Sequence, residues 1–307
     1  MATKQPEEIK YTESSLYKGK VQIRFYPESH RYYISVDDGK FVQRPGVTTI
    51  CGIKDKSTPL RIWQQRITAD FLFKSLKDKK KLTEDLAIEA IIQCDIKVKD
   101  AADIGQEIHA WCEAYIRNKL KQKGFEKVPE IPNFPEAING VNAFLAWEQE
   151  HKVKYHSSER VVYSKSQNFV GTLDVSAEVD GMYCLIDFKS SNGLYNGVRM
   201  QTAAYCKADE EEQGKKLYKG RWALRLSKYS EFEYYEVEQE KKMLKKKIAE
   251  LQGKEFKDYE IKPYQVFEAK FLDGMKEFMD RDWKAFINCR ELYAWDAETD
   301  PYRNENW

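Results

Sequence analysis

One α/β domain is the expected fold, and three features of the chain point to it. From residue 57 to about 150, apolar residues recur at helical spacing. From about Tyr155 the period changes to alternation through SERVVYS, FVGTLDVSAEV and MYCLIDFKS. GVRMQTAAYCKADEE then returns to helix, and neither an internal repeat nor a long Pro/Gly/Ser linker imposes a second domain. At 307 residues, 42% hydrophobic and 33% charged, the chain can bury a sizeable core beneath a soluble exterior.

In chain order, the first twenty residues (1–20) are polar and expected to be loose. VQIRFY and HRYYISV read as strands and lead through Pro45 and Gly46 into VTTICGI, suggesting a short strand layer. Ser57 and Pro59 mark a helix start, with Leu60, Trp63, Ile67 and Phe71 at helical spacing as far as Leu76. A second helix is expected from Thr83, a third over roughly 99–121, and a fourth from Pro135 with Ile138, Val141, Phe144, Leu145 and Trp147 near one face. Beyond the strand run, RWALRLS and EFEYYEVE read as a further hairpin. The chain from Gln239 is lysine-rich, then helical through Phe267, Phe271, Met275 and Phe278. This divides the chain into a tail (1–20), a strand and helix region packed on or arching over the core (21–98), the core (99–238) and a basic, helical C-terminal region (239–307).

The net charge of +1 neither requires nor excludes nucleic acid, because a basic groove can be offset elsewhere. Six cysteines without C-x-x-C pairing argue against a zinc site or a disulfide framework and for a reducing compartment. The N-terminus has no apolar signal core, and no run of about 18 apolar residues occurs. A cytoplasmic protein with no membrane partner is expected.

The stretch GTLDVSAEVDGMYCLIDFKSS carries the chemistry. Asp180-Gly181 is a strong type I′ turn signal, and a register pairing Val179 with Met182 sets Asp174 directly across from Asp187, with Lys189 two residues farther on the same face. The other face collects Leu173, Val175, Ala177, Val179, Met182, Cys184, Ile186 and Phe188, and is expected to be core. Two carboxylates about 5 Å apart repel by roughly 3 kcal/mol at an effective dielectric of about 20, whereas a good cross-strand pair contributes only about 0.2–1 kcal/mol. Such a pair holds a cation, shares a proton or splays into water. A hard divalent ion is satisfied by one or two carboxylates with water and substrate phosphate, and a neighbouring lysine can orient the water or neutralise phosphate charge. Acidic-x-Lys alone carries no weight, since 95–97, 260–262, 268–270 and 282–284 match it too.

Two further groups accompany the hairpin. GQEIHAWCEAY places Gly105, His109 and Glu113 at i, i+4 steps along one helical stripe, and MQTAAY puts Gln201 and Tyr205 on one helical face. In this order, with Glu159 in SERVV, Gly171 and Asp174 in GTLD, and Asp187 and Lys189 in IDFKSS, the pattern resembles the PD-(D/E)xK nuclease superfamily. Within it the pattern is similar to the RecB-like branch, which includes mitochondrial genome-maintenance exonucleases and many phage exonucleases. The resemblance covers roughly 100–210.

It implies a restriction-endonuclease-like core, a central mixed sheet flanked by helices, with a helical N-terminal part and C-terminal helices. It implies a Mg²⁺- or Mn²⁺-dependent DNA exonuclease acting on single strands or DNA ends in phage or bacterial replication or recombination, within the host cytoplasm if phage-encoded. Asp174 and Asp187 would be metal ligands and catalytic residues, with the Phe188 carbonyl a further ligand; His109 would approach the metal or the scissile phosphate from the helix as ligand or catalytic group, and Glu159 would be a ligand or merely structural. Lys189 would be the catalytic lysine, and Gln201, Tyr205 and Ser190 would contact DNA. Relatives with an iron–sulfur cluster carry a close cysteine triplet near the C-terminus; here Cys289 stands alone, and no cluster is expected. No G-x-x-x-x-G-K-[ST] loop is present, so no nucleotide is expected, and ATP-driven unwinding would need a helicase, with a single-strand-binding or annealing protein as other partners. SLKDKKKLTED and EKKMLKKKIAE could track phosphates, and Trp63, Trp111 or Tyr195 could stack on bases, although charge runs are usually solvated faces and spaced aromatics usually core. A flap-cutting endonuclease and a non-catalytic DNA-binding recombination subunit are the competing readings.

Overall fold

The computed structural model describes residues 11–54, 57–78, 81–191, 193–275 and 277–299. Four short strands, β1 (Thr12–Leu16), β2 (Val21–Tyr26), β3 (Arg31–Val36) and β4 (Val42–Arg44), form an antiparallel meander in chain order. Alternation along β2 and β3 turns Val21, Ile23, Tyr32 and Ile34 into a small core that also takes Leu16. Part of the stretch expected to be loose is therefore a strand, fixed by one apolar residue in an otherwise polar run. VTTIC, expected as a strand, is a short helix, α1 (Val47–Cys51). Its buried residues Val47, Ile50 and Cys51 sit at i, i+3 and i+4, a helical spacing that the β-branched composition obscured.

The next helices are α2 (Ser57–Lys77), α3 (Glu84–Lys119) and α4 (Pro135–Glu150). Thr83 caps α3 by accepting from the Leu86 amide at 3.2 Å, as its position suggested, but the second and third expected helices are one rod of 36 residues. Nothing in the polar middle of that rod breaks a helix, so the loss of apolar spacing there marks a solvated stretch and not a boundary.

The second sheet has the order β5-β6-β7-β8-β9. Strands β5 (Val153–Ser164), β6 (Phe169–Val179) and β7 (Met182–Lys189) are antiparallel neighbours; α5 (Gly197–Gln213) then leads to β8 (Gly220–Leu226), which runs parallel to β7. EFEYYEVE is not the returning strand. It opens α6 (Glu231–Leu251), whose capping box has Ser230 accepting from the Glu233 amide while the Glu233 carboxylate accepts from the Ser230 amide. The antiparallel edge beside β8 is β9 (Phe267–Phe271), in a segment expected to be helical. The last described element, α7 (Phe278–Thr299), is a helix as expected.

Helices cover both faces of this sheet. On one, Ile108 and Cys112 of α3 and Phe144 and Trp147 of α4 pack with Val175, Ala177, Ile186, Phe188 and Leu224. On the other, α1, α5 and α7 contribute Ile50, Ala204, Tyr205 and Phe286 around Val162, Leu173 and Leu185. The expectation of a single core face, with Leu173 and Val175 on it together, is corrected here. Leu185 and Asp187 are fully buried, as suits a central strand with a parallel neighbour and helices on both sides, and Leu173 belongs to the second core. Met182, beside the turn, is exposed.

Arg221 ties the C-terminal segment to the sheet. Its fully buried guanidinium donates to Asp273, to Asp282 at 2.7 Å and to the Arg199 carbonyl at 2.7 Å. Removing one member of such a network leaves buried charge uncompensated. Arg221→Met is expected to lower unfolding free energy by about 3–5 kcal/mol in urea titrations, whereas Arg225→Met, at the more exposed pair with Glu268, should cost about 1 kcal/mol or less.

Candidate functional site

The hairpin turns as its sequence dictates. Asp180 and Gly181 have φ of 50° and 84°, the left-handed values that a type I′ turn requires. Pairing runs from Val179↔Met182 to Val175↔Ile186, the register that directs Asp174 toward Asp187. There the ladder stops, and the Phe188 amide donates to Asp174 Oδ2 at 2.6 Å. On the other side of β6, the β5 ladder passes from Ser158↔Val175 to Arg160↔Leu173 and skips Glu159, whose φ is 49°. A non-glycine residue held there costs on the order of 1–3 kcal/mol and implies surroundings that over-determine it. Asp174 thus lies between two breaks in the sheet, and the side chains on either side of it point to opposite cores: Leu173 to the α5 side and Val175 to the α4 side.

Helix α3 closes the site. At Gly105 an added Cβ would lie 2.6 Å from Ser190 Oγ, so glycine lets the helix pass the end of β7 with the Ser190 hydroxyl in place, and a larger residue would require that hydroxyl to turn away. One turn later His109 reaches over Phe188, with Nδ1 4.0 Å from Asp174 Oδ2. Donor atoms of His109, Glu159 and Asp174 all lie within 4.8 Å of one another. Beside them Lys189 forms an ion pair with Asp187, whose two oxygens are fully buried and receive no well-directed hydrogen bond. The Lys189 ammonium also donates to the Phe188 carbonyl at 3.2 Å. Glu113, a further turn along α3, pairs with Arg117 at 2.8 Å.

The electrostatics follow from this crowding. Burial, with the charge of Asp174 second, pushes Glu159 up to about 8; burial, opposed by Lys189, leaves Asp187 at about 6 and raises Asp174 as well. Burial works against the Lys189 ammonium, but Asp187 and Asp174 outweigh it and its pKa is raised. His109 is lowered to about 4 by burial and then by Lys189, so near neutral pH its imidazole is uncharged and keeps a lone pair. Several carboxylates that resist ionisation, one neutral imidazole and a backbone carbonyl make a mostly hard donor set. It suits a small divalent cation such as Mg²⁺ or Mn²⁺, the imidazole nitrogen favouring the latter. Asp187 Oδ1, buried and outside the ion pair with Lys189, is an oxygen that such a cation would satisfy.

The remaining candidates separate by burial. Gln201 Nε2 donates to the Tyr205 hydroxyl at 3.0 Å, but the Tyr205 ring lies against Gly171 with 3% exposure, so its phenol is a core group and cannot stack on a base. Gln201 is the half-buried, reachable member. Trp111, offered as a stacking residue, is instead core, lying flat on Tyr115 at 5.0 Å; Tyr195 is exposed and Trp63 half-buried. Sequence reasoning missed Tyr32. From β3 its hydroxyl sits 3.3 Å from Thr172 Oγ1, within electrostatic reach of Glu159. No local signal links it to residues that lie 140 positions away.

No protein-family model matches the chain, and no curated protein matches it. Among the described residues no helix is long and apolar enough to cross a membrane.

Carboxylates whose folded pKa is raised stabilise the protonated native state. For the metal-free protein that contribution is present below the ordinary carboxylate range and is lost as pH rises through about 6 for Asp187 and about 8 for Glu159. A divalent cation must displace these protons, so its affinity should rise over the same window. Calorimetric titration with Mn²⁺ in buffers of differing ionisation heat is expected to show tighter binding at pH 8 than at pH 6, with proton release. Glu159→Gln should raise the metal-free Tm at pH 8 and weaken Mn²⁺ binding at least about tenfold.

Proposed function

We propose that this chain is a Mg²⁺- or Mn²⁺-dependent DNA exonuclease with a restriction-endonuclease-like core, as the PD-(D/E)xK resemblance implies. The observation that carries the reading is convergence. His109 from α3, Glu159 from β5, Asp174 from β6 and Asp187 with Lys189 from β7 are scattered over the sequence yet meet at one end of one sheet. A chance match to short motifs would not bring a helix histidine to the hairpin carboxylates.

In this reading Asp174, Asp187, Glu159, His109 and the Phe188 carbonyl hold the cation. A bound Mg²⁺ or Mn²⁺ would supply Lewis-acid polarisation of the scissile phosphate and a water acidified enough to attack it. The protein contributes placement and charge. Lys189 stays protonated because Asp187 and Asp174 face it, so it presents an ammonium where negative charge develops on the phosphate. His109, held neutral, serves as ligand or hydrogen-bond partner and adds no repelling positive charge. The Gln201 amide and the Ser190 hydroxyl offer donors to the nucleic-acid backbone, and the helices on both sheet faces keep bulk water from the Asp187 side.

The test is a matched assay of the wild type and Lys189→Ala on end-labelled linear and circular single-stranded DNA with Mg²⁺, Mn²⁺ or EDTA. Metal-dependent loss of the linear strand alone is expected, slowed about 10²–10³-fold by the substitution. Cutting of the circle would make the protein an endonuclease. DNA binding that survives EDTA, with no cleavage in Mn²⁺, would make it a binding subunit.

A further inference from the structure

Between β8 and β9 lies a long part of the described fold that the site does not use. The two strands are hydrogen-bonded antiparallel neighbours, which a two-residue turn could join, yet residues 227–266 intervene. They form α6 and a segment that folds back along it: the Tyr234 hydroxyl donates to the Lys262 carbonyl at 3.0 Å, Lys242 pairs with Asp258 at 2.6 Å, and the Tyr264 hydroxyl donates to the Tyr229 carbonyl at 2.8 Å. Helix α6 has 21 residues and buries none of them. Most helices in proteins are stabilised by an apolar face packed on a core, and this one lacks such a face.

Its charge is divided instead. EFEYYEVEQE is acidic and KKMLKKK holds five lysines. Helix-dipole compensation acts over about one turn, which is shorter than either block. Lys241 and Lys242 are neutralised by Glu238 and Asp258. Lys245, Lys246 and Lys247 are exposed, and none has a carboxylate within 4.0 Å among the described residues. Two of these ammonium groups lie over aromatic rings, Lys245 at 4.9 Å from Tyr259 and Lys247 at 5.8 Å from Phe73 of α2.

The excursion that carries the cluster leaves the sheet at the end that carries the site. Because β8 runs parallel to β7 with Arg225 paired to Lys189, the excursion leaves β8 just beyond the level of that lysine. At the same end Gly105 of α3 lies against Ser190, and α3 packs on α2. The Lys247–Phe73 contact brings α6 against α2. Lysines interleaved with aromatic rings suit a polyanion that also offers flat faces, as an unpaired nucleic-acid strand does.

We propose that Lys245, Lys246 and Lys247 bind the phosphate backbone of a DNA strand that leads away from the site, a role that rests on the nuclease reading. The test compares the wild type with Lys245→Glu/Lys246→Glu/Lys247→Glu and with the corresponding triple Lys→Gln variant, each checked for an unchanged Tm. Cleavage of oligonucleotides of about 4 and about 40 nucleotides is measured over a range of salt concentrations in Mn²⁺. The glutamate variant is expected to lose about tenfold of the preference for the long substrate in kcat/KM. The slope of log KM against log salt should fall by about 2, roughly 0.7 per lost single-strand phosphate contact, with the glutamine variant showing the same loss of slope. An unchanged preference and slope would overturn the proposal. If the wild type cleaves nothing, the nuclease reading fails separately, and anisotropy of the labelled 40-mer in EDTA decides the cluster. Binding weakened about tenfold in the glutamate variant keeps it as a nucleic-acid contact; equal or absent binding removes it.

Discussion

Two aspartates on neighbouring strands and a glutamate across the adjoining ladder form a concentration of negative charge that burial makes costlier still, because desolvation penalises each ionised carboxylate. Much of the surrounding architecture bears on that charge. Lys189 supplies an ammonium in contact with Asp187, the Phe188 amide supplies a donor to Asp174, and the interruptions of pairing on both sides of Asp174 free side chains for the site that a regular sheet would use for packing. The second core beneath α5 and α7 makes the arrangement more demanding, since Asp187 cannot relax into solvent. Folding without a cation therefore leans on proton uptake, and occupancy by a cation and retention of those protons are mutually exclusive states of the same residues.

Legibility in the sequence followed the range of the physics. The hairpin register could be read because a two-residue turn fixes it locally, and the terminal residues Asp180 and Gly181 are the ones that accept positive φ. The separation of Asp187 from solvent was not readable, because it depends on helices placed on the far face by the whole topology. EFEYYEVE misled because apolar and acidic residues alternate over EFEY and again, one step out of phase, over YEVE, while the decisive signal, Ser230 with Glu233 three residues on, is a helix start. Residues 267–271 misled in the opposite direction: their apolar positions fit both periods over so short a run, and only pairing to β8 selects the strand.

The candidate site divides in the same way. Asp174, Asp187, Lys189 and His109 were legible as a motif, and Glu159 with them, although nothing in SERVV announces a left-handed backbone. Tyr205 kept its place next to Gln201 but changed character, because its ring fills the space left by Gly171 and is spent on packing. Tyr32 belongs to a sheet that sequence separation sets far from the hairpin, and its approach to Thr172 is a product of how the two sheets share Tyr163 and Val170 in one core.

The continuity of α3 has a mechanical consequence. A helix of 36 residues spans about 54 Å and bends little, so it behaves as a stiff beam. Where Gly105 rests on Ser190 it has a fulcrum, with about 31 Å of helix on the distal side and about 6 Å between the fulcrum and His109. Tilting the beam by 5 Å at its far end would move the imidazole by about 1 Å, a displacement comparable with the tolerance of a coordination sphere or a reacting phosphate. Load placed on the distal arm would thereby be geared down and delivered to His109 and the candidate site as a small, directed adjustment.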